Sequence, residues 1–78
     1  MKSYAFRVEL EQDDDGGWSA VIPALPGCAS DGDTAEEALT NVQEAAQAYV
    51  ETLLELGRPV PTEKEAAVFD GAAVLVTS

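Results

Sequence analysis

The side chains that could do chemistry in this chain are almost all carboxylates. Of its 78 residues, 15 are Asp or Glu, four are Lys or Arg, and none is His. Asp13, Asp14 and Asp15 are consecutive, and oxygen ligands of this kind suit hard cations. Three consecutive acids on a turn cannot all face one ion, however, and no further ligand follows at the spacing of a calcium-binding loop. We therefore predict a solvated turn without metal or cofactor; the alternatives are an acidic knob that faces a partner and a metal site completed by another chain.

Cys28 is the other candidate for chemistry, as a nucleophile or as a metal ligand. It is the only cysteine, so neither an internal disulfide nor a cysteine-based metal cluster can form within one chain. A reactive thiolate needs an electropositive setting, whereas no Lys, Arg or His lies near Cys28 in the sequence. We predict a small, buried side chain at this position and no catalytic residue in the chain.

The charge of the chain restricts its partners. A formal net charge of -11 has the wrong sign for gripping a phosphate backbone, so we expect no direct contact with nucleic acid. The same charge suits a basic protein partner, although the solubility of a small acidic protein is an equally good explanation. The N-terminal apolar run is interrupted by a charge, and no 18 consecutive residues are apolar. We therefore expect no secretion signal, no contact with a membrane and a cytoplasmic location.

Three strands are predicted to position the acids of the N-terminal half. The residues after Met1 and Lys2 alternate apolar and polar side chains, the pattern of a strand with one buried face. The run from Asp13 to Gly17 has the residues of a hairpin turn, and the run from Pro23 to Gly27 must end a strand because its prolines lack ladder donors. These features predict an antiparallel meander with strands over residues 3–11, 18–23 and 28–32.

A long amphipathic helix is predicted over residues 34–56. Thr34 and Glu37 have the spacing of a capping box, and a Gly followed by a Pro marks the end of the helix. Apolar side chains recur at the spacing of one helical face, at Ala35, Ala38, Leu39, Val42, Ala45, Ala46, Tyr49, Leu53 and Leu56. Val50 and Leu54 lie beside each other off this stripe, so they are either rim residues or part of a subunit contact.

The last strand is predicted over residues 72–77, after a linker at 57–71. Within that linker the run 63–70 is ambiguous between helix and coil. The continuous apolar run of the strand suits a position between two neighbours or against a subunit face, which makes Val74 and Val76 candidate oligomer contacts.

These elements predict one α+β domain over residues 1–78, in the order β-β-β-α-β. We expect a mixed four-stranded sheet of order 3-2-1-4 with the helix on one face, and a last strand that runs parallel to the first through a right-handed crossover. A chain of this length has a small core and leaves open sheet edges. We therefore expect a homo-oligomer, either a dimer or a tetramer.

Two runs of residues carry a family resemblance. Residues 16–28 hold a Gly-Gly-Trp strand start and a Pro-x-Leu-Pro-Gly-Cys corner, and residues 30–42 hold a Gly-x-Thr-x-x-Glu-Ala helix start followed by an Asn. Together these motifs closely resemble the HicB antitoxin family of type II toxin-antitoxin systems. The resemblance extends from Tyr4 to about Pro61 and implies a partial ribonuclease-H-like fold without enzymatic activity. Many members of that family also carry a C-terminal DNA-binding domain; this chain departs from that pattern, and we expect a short form without it.

The resemblance also implies a partner, the toxin HicA. HicA is a small ribonuclease that cuts messenger RNA with a histidine, and the antitoxin blocks its active surface. An acidic protein can cover the positive surface that an RNA-binding enzyme must present. The candidate partner-binding residues are Asp13, Asp14, Asp15, Asp31 and Asp33, for which turn formation and helix capping are the alternative explanations. A stand-alone homo-oligomer without a toxin is the alternative function, and a metal-dependent nuclease is disfavoured because no carboxylates converge from several strands.

Overall fold

The computed structural model describes residues 3–61 and 72–77, so the ambiguous run at 63–70 lies outside the described residues. The elements follow the predicted order and include one helix, as expected of an α+β fold. They are β1 (Ser3–Gln12), β2 (Trp18–Val21), β3 (Ala29–Gly32), α1 (Ala35–Glu55) and β4 (Ala72–Thr77).

The four strands form one sheet in the order β3-β2-β1-β4, which confirms the predicted order. Every neighbouring pair is antiparallel, β1 and β4 included. The predicted parallel direction of the last strand, and with it the mixed sheet, is wrong. The prediction assumed that the chain reverses direction between α1 and β4, across the linker at 57–71. The 14 residues at 58–71 can span up to about 46 Å, however, while the 21 residues of α1 span about 32 Å, so either direction is within reach.

Helix α1 begins and ends with the signals expected from the sequence. Thr34 is the N-cap, and its side-chain oxygen accepts a hydrogen bond from the backbone N–H of Glu37 at 3.0 Å. At the other end Gly57 has φ +70°, and the N–H groups of Gly57 and Arg58 donate to the carbonyls of Leu54 and Leu53. This pair of bonds is a Schellman motif, in which a glycine adopts the left-handed conformation that other residues avoid.

The core lies between the helix and one face of the sheet. Alternate strand residues and one row of helix residues fill it, and its largest fully buried side chains are Phe6, Ile22, Leu25, Val42, Val50 and Val76. The buried helix residues, Ala38, Val42, Ala46 and Val50, are four apart. The prediction that Val50 lies off the buried stripe is therefore wrong. Residues four apart form a row that slopes across the helix axis, and this row faces the twisted sheet.

The corner between β2 and β3 closes one end of the core. The N–H of Ile22 donates to the carbonyl of Cys28 at 3.0 Å, and the N–H of Cys28 donates to the carbonyl of Leu25 at 2.9 Å. Gly27 has φ +82°, which a side chain would strain. Leu25 is fully buried and Cys28 is 4% exposed. The prediction of a buried Cys28 is confirmed, and burial raises the pKa of its thiol from the ordinary value of 9.0.

Candidate protein-binding site

Carboxylates from three separate elements line one open groove with a volume of about 260 Å³. They come from the β1–β2 hairpin, the end of β3 and the first turn of α1. We call this feature the acidic groove and define it by Asp13, Asp15, Asp31, Asp33 and Glu37. Four of the five predicted partner-binding residues are therefore brought together, although Asp15 and Asp31 are 16 positions apart in the sequence. The fifth, Asp14, is exposed and is not part of the groove lining.

The hairpin holds Asp13 and Asp15 through bonds within the turn. The N–H of Asp13 donates to the carbonyl of Gly17 at 2.7 Å, and the N–H of Gly16 donates to the carbonyl of Asp13 at 3.0 Å. The carboxylate of Asp15 accepts from the N–H of Gly17 at 3.0 Å, and that of Asp13 accepts from the hydroxyl of Ser19 at 3.2 Å. Both carboxylates thus stabilise the turn, which limits their freedom to bind a partner.

The end of β3 and the first turns of α1 form the other wall of the groove. The N–H of Glu37 donates to the side chain of the N-cap Thr34, and the carboxylate of Glu37 accepts at 3.1 Å from the N–H of Asp33, the residue before the N-cap. This arrangement is a variant of the capping box, in which the Glu accepts from the N-cap N–H itself. The side-chain amide of Asn41 donates to the backbone carbonyl of Asp31 at 2.8 Å and ties the first turns of α1 to the end of β3. The positions of Asp31 and Asp33 relative to the helix are therefore defined by hydrogen bonds.

Asp31 and Asp33 are the carboxylates of the groove that are not used by the fold. Within the described residues, neither side chain accepts a hydrogen bond or forms an ion pair, and both residues are exposed. A hydrated carboxylate without an internal partner can form a charge-assisted hydrogen bond with an incoming Arg or Lys at no cost to the fold. These two residues are therefore the strongest candidates for partner contact.

Gly32 lets the helix entrance approach the sheet closely. A Cβ at this position would lie 2.6 Å from the backbone nitrogen of Ala38 and 2.9 Å from the Cβ of Glu37. Both distances are shorter than atoms of folded proteins tolerate, so a glycine is needed between Asp31 and Asp33 for steric reasons. The backbone of β3 and the first turn of the helix are thereby packed together directly beneath the groove.

The open face of the sheet, opposite the helix, continues the acidic surface. Glu9 pairs with Val21, and Glu11 pairs with Ser19, which pairs in turn with Asp31. Glu9 and Glu11 are exposed, and Glu9 lies 3.6 Å from the guanidinium of Arg7. Both partners of this ion pair are at least a third exposed, so it contributes little to stability.

The predicted oligomer contacts divide between the core and the surface. Val50 and Val76 are fully buried and Val74 is 6% exposed, so these side chains pack within their own chain and have almost no surface for a second subunit. That interpretation of them was wrong, because the continuous apolar run of β4 does not reveal which of its two faces is buried, and because Val50 belongs to the helix row that faces the sheet. Leu54 is 44% exposed and stays a candidate. Sequence reasoning missed Leu75, which is 55% exposed on the open face of β4.

Sequence reasoning also missed two residues of the groove, Glu37 as a lining carboxylate and Asn41 as a support of Asp31. The signals were present, since Glu37 has the capping-box spacing from Thr34 and Asn41 follows the helix-start motif. Within residues 3–61 and 72–77, no three side chains of His, Cys, Asp or Glu are arranged to hold a metal ion. No helix in that part of the chain is long and apolar enough to cross a membrane.

The comparisons with known proteins agree with the resemblance to HicB antitoxins. A family model described as the HicB-like antitoxin of a bacterial toxin-antitoxin system matches residues 6–72. A UPF0150 protein of Synechocystis is 48% identical over 60 residues, which cover 77% of this chain and 76% of the relative. The N-terminal domain of the Burkholderia pseudomallei antitoxin HicB superposes with a TM-score of 0.68 at 26% identity, covering 99% of this chain and 98% of that domain. A chain from the HicA3 and HicB3 toxin-antitoxin complex shares the fold, with a TM-score of 0.61 at 21% identity over 97% of this chain and 96% of that chain.

Proposed function

Because the chain belongs to the HicB-like antitoxin family, we propose that it neutralises a HicA-type toxin, a small ribonuclease that cleaves messenger RNA, by covering the basic active surface of that toxin. The acidic groove is the contact surface in this proposal. The chain acts by binding, with no catalytic step of its own, and it acts in the cytoplasm, where messenger RNA is translated. A solved structural neighbour is named as a toxin-antitoxin complex of HicA3 and HicB3, which supports this type of partner.

One observation carries the choice of surface. Carboxylates from the hairpin, β3 and α1 converge on one groove, and two of them, Asp31 and Asp33, make no side-chain bond within residues 3–61 and 72–77. A ribonuclease must present positive charge to bind the phosphates of its substrate. Carboxylates held in a fixed arrangement can occupy the same positive groups, and the two macromolecules then exclude each other.

The net charge of -11 supports the same partner through kinetics. Opposite charges steer two proteins towards each other, and this steering raises the association rate at low ionic strength. A toxin that is already cleaving messenger RNA has to be captured quickly, so a fast encounter is useful. We expect the association rate with the toxin to fall steeply as salt is added, and the dissociation rate to change less.

The test compares isosteric charge neutralisation inside and outside the groove. Asp31→Asn with Asp33→Asn removes two negative charges from the groove, and Glu44→Gln with Glu55→Gln removes two from exposed positions of the helix. Each variant is titrated against a HicA-type toxin made inactive by substitution of its histidine, and then assayed as an inhibitor of messenger RNA cleavage by the active toxin.

We expect the groove variant to bind about tenfold to a hundredfold more weakly, because Asn keeps an acceptor oxygen and loses only the charge assistance, about half of the roughly 1.5–3 kcal/mol that each bond contributes. The helix variant should bind within about twofold of the parent protein. Equal affinity for the two variants would place the contact elsewhere. Absence of any complex with the parent protein would overturn the proposed function itself.

We also propose that the chain self-associates as a dimer or a tetramer. A domain of 78 residues buries only about 60% of the surface that its unfolded chain exposes, so its own core is marginal. Leu54 and Leu75 are large apolar side chains left 44% and 55% exposed. Sedimentation velocity over a range of concentrations tests this proposal, and a single monomeric species throughout would overturn it.

A further inference from the structure

The outer edge of β4 lacks the features that usually protect an edge strand. Its sequence, Ala-Ala-Val-Leu-Val-Thr, has no charged residue, no proline and no glycine. Within the described residues β4 pairs only with β1, so one of its two edges has no strand beside it. An uncharged, regular edge of this kind can pair with a strand that reaches it.

The distribution of charge lets a second copy of this chain approach β4 with less repulsion than it meets at other parts of the surface. Each copy carries a net charge of -11, so most pairs of surfaces on two copies repel each other. The opposite edge of the sheet, β3, carries Asp31 and is followed by Asp33. In contrast, β4 itself is uncharged, and the residues of β1 paired with its exposed positions are Ser3, Ala5 and the basic Arg7, none of which is acidic.

Two glutamines of α1 bind the backbone of β4. The side-chain amide of Gln43 donates to the carbonyl of Leu75 at 3.2 Å, and that of Gln47 donates to the carbonyl of Thr77 at 2.6 Å. Backbone groups of residues two apart point to the same edge of an antiparallel strand, so both glutamines act on one edge. Because these carbonyls accept bonds from the helix, we infer that they point away from β1. A strand that paired with this edge would compete with the glutamines for the same two carbonyls.

We propose that the outer edge of β4 pairs antiparallel with β4 of a second copy, about a two-fold axis at Leu75, and that Gln43 and Gln47 limit the strength of this pairing. The axis follows from the edge itself. Residues 73, 75 and 77 present their backbone groups outwards, and a two-fold axis at the middle residue pairs all three without an overhang. The two copies of Leu75 then lie opposite each other on the open faces of a continuous eight-stranded sheet.

This inference deepens the proposed self-association and is independent of the toxin. A first test introduces like charges at the proposed β4–β4 interface. Leu75→Asp places two carboxylates directly opposite each other in the pairing, which is destabilising. Val21→Asp is the matched control, because Val21 is 41% exposed on the same open face but lies in an interior strand. Circular dichroism and thermal unfolding check that both variants fold.

We expect sedimentation to show that the parent protein is a dimer, that the Leu75→Asp variant is monomeric at the same concentration, and that the Val21→Asp variant behaves as the parent. A dimer that Leu75→Asp leaves intact would overturn the β4 surface but retain self-association. A parent protein that is monomeric at every concentration would overturn both.

The register has a separate test by disulfide cross-linking. Facing residues of a hydrogen-bonded antiparallel pair have Cα atoms about 5.5 Å apart, which is within disulfide range. Leu75→Cys should therefore cross-link two copies on oxidation. Thr77→Cys should not, because its nearest copy would lie four residues along the partner strand, about 13 Å away. Native Cys28 is buried and serves as an internal control in both variants. Equal cross-linking of the two variants would overturn the two-fold axis at Leu75.

If the glutamines compete with the partner strand, their removal should strengthen self-association. Gln43→Ala with Gln47→Ala frees both carbonyls of β4 and should tighten self-association by about tenfold, since each hydrogen bond has a modest net contribution. Gln12→Ala, at the exposed end of β1, is the control and should leave the affinity unchanged. Weaker or unchanged association of the double variant would overturn the competition between the glutamines and the partner strand.

Discussion

Replacement of Gly32 by alanine tests whether close packing of the helix entrance on β3 maintains the fold and the acidic groove. The new Cβ would lie 2.6 Å from the nitrogen of Ala38, whereas ordinary contact begins at 3.4 Å, so one element must shift by about 0.8 Å. The obstacles are backbone atoms of Glu37 and Ala38, which cannot rotate out of the way as a flexible side chain can. We expect a loss of about 1–3 kcal/mol in the free energy of unfolding, the usual cost of overpacking.

The assay is urea unfolding followed by the fluorescence of Trp18, the only tryptophan, which pairs with Gly32 across the sheet. Gly17→Ala is the matched control, because its Cβ would meet a side-chain oxygen of Asp15 at 3.3 Å and a carbonyl at 3.5 Å, so a small adjustment is enough. The Gly32 variant should also lose affinity for the toxin, since the shift moves Asp31 and Asp33 away from the first turn of α1, which holds Glu37. A loss of stability below about 0.5 kcal/mol, equal to that of the control, would refute this account of the helix entrance.

Three further perturbations test the cap, the core and the buried thiol. Thr34→Ala removes the acceptor for the N–H of Glu37 and should cost about 1 kcal/mol in urea unfolding, while Thr34→Ser should cost far less. Phe6→Ala empties a fully buried position and should lower the free energy of unfolding by about 3–5 kcal/mol; a loss below about 1 kcal/mol would contradict the described core. Burial raises the pKa of Cys28, so its contribution to stability is complete below the unfolded value of 9.0 and is lost as the pH rises through the folded value. The free energy of unfolding should therefore fall more steeply above pH 9 for the parent than for Cys28→Ala, and parallel pH profiles would exclude this contribution.

The predictions that depended on local chemistry agree with the structure. The period-two alternation of β1, the capping box at Thr34 and the glycine stop at Gly57 each depend on residues within a few positions of one another. Backbone conformation and hydrogen bonding are determined at that range, so the strands, the helix and its ends could be read in advance. The order of the sheet followed because neighbouring elements along a chain usually pack together.

The predictions that depended on packing were less successful. The buried row of α1 ends at Val50, whereas the predicted stripe left Val50 out and ended at Leu56, which is 63% exposed. Which row faces the sheet depends on the crossing angle of the helix. The direction of β4 depends on the path of a long connection, which local signals do not restrict. The inward face of β4 was equally undetermined, and for that reason Val74 and Val76 were assigned to a subunit contact in place of Leu75.

The sequence by itself determined an acidic α+β chain, its elements, their order in the sheet and the family that its motifs resemble, because these follow from residue types at short spacing. Only the tertiary structure decided which carboxylates share a groove, which of them are already bound within the fold, and which apolar side chains stay exposed. Those properties depend on distances between residues far apart in the chain, and such distances exist only once the helix has packed against the sheet.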